Sequence, residues 1–122
     1  MTEFRRKLYT RGSSYETTLP MPILFNTDLL NKKYEALFTY TEEEKRWYLS
    51  IDEIKRGAKK SQTIVRRKIY RRGSSYETTL PSPILFKTNP EKKKYDVLFT
   101  YDSKQDKWHI ECVEAQSKDN EK

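Results

Sequence analysis

The chain has 122 residues, a formal net charge of +7, and nearly equal apolar (34%) and charged (35%) content, which allows one compact domain with a small core rich in aromatics. No stretch approaches the ~18 apolar residues of a membrane helix and MTEFRRK has no apolar signal core, so the expectation is a cytoplasmic protein without a membrane partner. The lone cysteine, Cys112, excludes an internal disulfide framework and reads as a core thiol.

Phe4–Thr10 reads as an extended strand. Arg11-Gly12-Ser13-Ser14 supplies turn chemistry, with a glycine free to take positive φ, and Tyr15–Leu19 carries β-favouring Tyr and Thr, so the first element is a hairpin. Pro20-Met21-Pro22-Ile23-Leu24-Phe25 follows; proline suits the first turn of a helix, and one or two helical turns are expected to carry Ile23, Leu24 and Phe25 into the core. Tyr34, Ala36, Phe38 and Tyr40 then alternate with Glu35, Leu37 and Thr39, and Trp47, Leu49 and Ile51 do the same after a polar turn at Thr41–Lys45, giving a second hairpin. Gly57-Ala58 and the surrounding cations read as an exposed tether.

The same elements then recur. Phe4–Ile51 aligns without a gap with Val65–Cys112, and 27 of 48 positions are identical. Val65–Arg71, the turn Arg72–Ser75 and Tyr76–Leu80 form the repeated first hairpin; Tyr95–Tyr101, Asp102–Lys107 and Trp108, Ile110 and Cys112 form the repeated second. A unit of this size is small for an independent domain, so two mutually completing halves are expected. Residues 1–54 are the first half-repeat, 55–63 a basic linker, 64–116 the second half-repeat and 117–122 a disordered tail.

The order of a basic strand, a glycine turn, a short strand running into proline, a brief helix and a hairpin of alternating apolars resembles the AbrB, SpoVT and MazE superfamily. The residues that carry it are Arg5–Pro20 with Tyr34–Ile51, and Arg66–Pro81 with Tyr95–Cys112. Two units in one chain is an arrangement similar to the MraZ family. The resemblance implies a mostly β fold with two short helices, a swapped-hairpin β-barrel built from two ββαββ repeats. It also implies DNA binding by a transcriptional regulator or an antitoxin. Members often carry arginines in the short helix, whereas Pro20–Thr27 and Pro81–Thr88 hold only Lys87. DNA contacts would therefore come from the first hairpin and the linker.

Arg5, Lys7, Tyr9 and Arg11 share one face of the first strand by alternation, and Arg66, Lys68, Tyr70 and Arg72 repeat that face. From Lys55 to Arg72 there are nine Lys or Arg and no Asp or Glu. Cations interleaved with tyrosine suit phosphates, sugars and bases, and a twofold object suits two half-sites on duplex DNA. Arg6 and Arg67 fall on the opposite face, as rim or strand-end contacts; Ser13 and Ser74, beside Ser14 and Ser75, could offer hydroxyls and amides to a phosphate or simply stabilise the turn. Arg71, where the first copy has Thr10, makes the second copy more basic and an imperfect palindrome the expected site. The plainer alternative is that these charges guard edge strands, with Glu16 and Glu77 as cross-strand partners.

An enzyme is not expected: His109 is the only histidine, and no catalytic group, cofactor motif or metal spacing accompanies it. Two other roles stay open, an antitoxin-like module with a protein partner and a non-specific nucleic-acid or chromatin-associated protein; DNA versus RNA is also open. Oligomeric state is likewise open between one self-closed chain and a homodimer that exchanges halves.

Overall fold

A computed structural model describes residues 2–54, 64–86 and 88–115. The proposed linker, the proposed tail and Lys87 lie outside the described residues. The first repeat contributes β1 (Thr2–Lys7), β2 (Tyr9–Arg11), β3 (Ser14–Thr18), β4 (Tyr34–Thr41) and β5 (Arg46–Glu53). The second contributes β6 (Ile64–Arg72), β7 (Ser75–Thr79), β8 (Tyr95–Asp102) and β9 (Lys107–Glu114). All pairings are antiparallel, in the order β1-β8-β9-β5-β4-β6-β7-β3-β2. The two ends of that list, β1 and β2, are consecutive pieces of one stretch of chain, so the sheet curls into a nearly closed barrel.

The register reveals how the two halves meet. β1 of the first repeat pairs with β8 of the second, and β6 of the second pairs with β4 of the first, with Arg5 opposite Leu98 and Arg66 opposite Leu37. The first hairpins join where Thr17 faces Thr78, and the second hairpins join where Tyr48 faces His109. Both pairs are equivalent positions of the repeat, so an internal pseudo-twofold axis runs through them, from one pole of the barrel to the other. Inside lie Ala36, Phe38, Leu49, Val97, Phe99 and Ile110, all buried. They come from the alternating positions of β4, β5, β8 and β9, as period two requires.

The expected short helices are absent from the described residues. Each Pro-x-Pro-Ile-Leu segment forms one 3-10 turn, Met21–Leu24 and Ser82–Leu85, so the repeat is not ββαββ. The bonds run three residues back, from Ile23 N–H to the Pro20 carbonyl and from Phe25 N–H to the Pro22 carbonyl. Prolines at 20 and 22 remove donors and favour extended geometry before each ring, which leaves too little chain to propagate an α-helix. The turn sends Ile23 and Leu24 inward, but Phe25 is 72% exposed and its equivalent Phe86 76%. Phe25 is therefore a surface residue and not part of the core.

Candidate nucleic-acid interface

At the pole marked by Thr17 and Thr78, β2, β3, β7 and β6 form a four-stranded layer. Each first hairpin closes through a glycine, Gly12 at φ +60° and Gly73 at φ +62°. Only the first turn residue is left-handed, as a two-residue turn that matches strand twist allows, so the tips end in exposed Ser13 and Ser74.

Thr17 and Thr78 point inward and are fully buried, so their neighbours in each strand point away from the core. On that outer face Tyr9 lies opposite Glu16, Glu16 opposite Thr79, Thr18 opposite Glu77 and Glu77 opposite Tyr70. Glu16 and Glu77 are nevertheless only 4% exposed each, because side chains from the flanking strands fold across them. The Tyr70 hydroxyl donates to Glu16 and the Tyr9 hydroxyl to Glu77, so each tyrosine serves the carboxylate of the other repeat. Arg11 Nη1 stands 3.4 Å from Glu16, and Arg72 Nε 3.3 Å from Glu77. The second contact lacks hydrogen-bond alignment, and Glu77 Oε1 is left without a donor.

Burial pushes the Glu16 carboxyl up; Arg11 opposes that shift and Glu77 adds to it. Burial likewise raises the Tyr9 phenol, reinforced by its bond to Glu77. The cluster is a desolvated pair of like charges held by two tyrosines and two half-exposed arginines.

Further along the same face Arg5 Nη1 contacts Asp96 at 3.0 Å, and Arg66 Nη1 bonds to Glu35. Asp96 and Glu35 are equivalent residues, each reaching the arginine of the opposite repeat. Arg6 and Arg67 take the core side of the same strands, opposite Val97 and Ala36, whose small buried side chains leave room for the stems. Their Nη1 atoms turn back to the carbonyls of Arg5 and Arg66 at 2.8 and 2.9 Å. The Arg71 Nε donates to the Gly73 carbonyl at 2.9 Å. Lys7 and Lys68 are exposed, and among the described residues neither they nor Arg6, Arg67 and Arg71 have a carboxylate within 4.0 Å.

No family model, curated protein or solved structure matches the chain. The site must therefore be judged on its own geometry. Tyr9, Arg11, Tyr70 and Arg72 converge on the glutamate pair, whereas Arg5 and Arg66 are drawn to the neighbouring hairpins. Alternation along the two equivalent strands suggested one uniform row on each; Glu16 and Glu77 were the cross-strand partners of the plainer alternative, whereas nothing local pointed Arg5 and Arg66 to Asp96 and Glu35. The available signal was the repeat itself: Glu16 and Glu77, and Glu35 and Asp96, keep an acid at equivalent positions of both copies.

At the other pole, His109 packs against Tyr48 with ring centroids 4.4 Å apart and planes tilted by 40°, and its Nε2 lies 3.5 Å from Asp102. The Cys112 thiol is pushed up to about 12, burial being the main cause.

Proposed function

We propose that this chain is a DNA-binding protein, a transcriptional regulator that grips duplex through its two first hairpins. The observation that carries the reading is the pairing of β3 with β7 across the pseudo-twofold axis, which brings β2 and β6 into one layer, with Lys7 and Lys68 at symmetry-related, exposed positions beside it. Arg71 and the hydroxyls of Ser13 and Ser74 extend the contact towards the hairpin tips. We assign the barrel to the swapped-hairpin type of the AbrB, SpoVT and MazE superfamily, and the exchange of β1 and β6 between repeats supports that assignment.

Arg5, Arg11, Arg66 and Arg72 have intramolecular partners, so phosphates would have to compete for them. The free cations carry the test instead. With about six phosphates neutralised, duplex affinity falls ~10³-fold between 50 and 200 mM salt. Replacing Lys7 and Lys68 together by Ala lowers the slope of log affinity against log salt by about 2, with the far-UV spectrum unchanged. A salt-independent affinity, or a slope untouched by the double substitution, overturns the reading. The same titration with random duplex, single strand and RNA separates sequence-specific binding from coating.

A further inference from the structure

At the pole opposite the hairpin layer, a cleft opens on either side of the Tyr48–His109 contact, with volumes of about 680 and about 820 Å³. The two share equivalent positions on part of their walls: Thr39, Tyr48, Lys107 and Trp108 line the first where Thr100, His109, Arg46 and Trp47 line the second. Their chemistry has diverged. The first is walled by Phe25, Tyr48, Tyr101 and Trp108 above Ile51. The Tyr101 and Trp108 rings stand 5.2 Å apart. Its one lining carboxylate, Asp106, is engaged by the Tyr101 hydroxyl. Its one lining cation, Lys107, sits 5.0 Å from the Tyr48 ring centre and has no carboxylate within 4.0 Å among the described residues. The second cleft carries Glu44, Asp102 and Glu111 together with Lys45, Arg46 and Lys104, and its Arg46 lies 3.5 Å from His109.

We propose that the Phe25 cleft is a binding site for a small molecule made of a planar aromatic ring bearing an anionic group. Its volume falls within the range of small-ligand sites, and its four aromatic rings stand among threonines, Ser50 and Asn26, whose polar groups can orient a ligand. A phenylalanine 72% exposed at the mouth gains most when a flat apolar surface covers it. Lys107, held over an aromatic face, supplies the one positive charge without a counter-ion, so the ligand's anion completes the pair. The second cleft balances its three cations with three carboxylates and is lined by neither Phe25 nor Phe86, so it offers neither the unmatched charge nor the exposed ring, which makes the site single despite the duplication. The site is independent of the DNA reading, since it occupies the other end of the axis.

Isothermal calorimetry on the full chain with 1-naphthoate, AMP and the neutral 1-naphthylmethanol tests this. At least one of the two anions binds saturably with one site per chain, and the neutral ring binds about tenfold more weakly. AMP binding alone identifies a nucleotide, and naphthoate binding a carboxylate. Phe25→Ala and Lys107→Gln each weaken the binding about tenfold, whereas Phe86→Ala, equally exposed but lining neither cleft, leaves it unchanged. Absence of saturable binding by both anions up to about 5 mM, equal affinity for the neutral ring, or equal losses from Phe25→Ala and Phe86→Ala overturns the proposal. Both phenylalanines are too exposed for their truncation to unfold the barrel, and a urea midpoint of Lys107→Gln equal to the parent's shows that any loss is local.

Discussion

Tyr70→Phe isolates the bond that crosses from the second repeat to Glu16. The ring survives, and with it the Arg11 guanidinium 5.7 Å above its centre, so only the hydroxyl is lost. A hydrogen bond to an ionised group contributes about 1.5–3 kcal/mol. The lower end applies here, because Arg11 and Arg72 still approach Glu16 at 3.4 and 4.0 Å. A cost of about 1.5 kcal/mol at pH 7 is expected. Burial raises the folded-state pKa of Glu16 above its unfolded value. The folded protein therefore holds that proton more tightly, and this group favours folding increasingly as pH falls through the folded pKa towards the unfolded one. Removing the phenol raises the folded pKa further, so the loss is full above it and shrinks on acidification. By about pH 3.5 the carboxyl is protonated in both states and a neutral hydrogen bond of about 0.5–1 kcal/mol is what remains. Urea unfolding of parent and variant at both pH values, with equal slopes, measures this. A loss below about 0.5 kcal/mol at pH 7, or one that grows as pH drops, refutes the account.

Two further outcomes follow from the core. Phe99→Ala, which empties a fully buried position facing Phe4 and Ile110, costs about 3–5 kcal/mol in equilibrium unfolding; a loss under about 1 kcal/mol would mean that the barrel interior repacks freely. The Cys112 thiol, pushed up to about 12, resists iodoacetamide at pH 8 in the folded protein and reacts once urea is added, as mass spectrometry will show; rapid labelling without denaturant contradicts its burial.

The hairpins were legible because alternation is a local property: Tyr34–Tyr40 and Trp47–Ile51 fall inside β4 and β5. The pairing of β1 with β8 was not, because nothing near Arg5 points to Asp96, 91 residues away. The helix expectation failed on a local rule applied too generously. Proline opens a helix, but a second proline two residues later caps its growth at one turn, and three consecutive apolar residues on such a turn cannot all face one way. Phe25 was the residue left over, and it marks the cleft. The basic face was legible as composition, and Glu16 and Glu77 meet Arg11 and Arg72 within their own hairpins; the pairing of Arg66 with Glu35 and of Arg5 with Asp96 depends on strands that meet only in the finished barrel.

The crossing of the first strand into the other half's sheet governs how the molecule is made. At 5–20 residues per second, Arg5 leaves the ribosome roughly 5–20 s before Asp96 exists to receive it. Throughout that interval the nascent chain presents an unclaimed β1, and for the part of it between the synthesis of β4 and that of β6 also the bare flank of β4. Two neighbouring nascent chains at that stage hold matching unfilled edges, so crowded translation on one message favours intermolecular mispairing, and slower spacing of ribosomes favours the self-closed form.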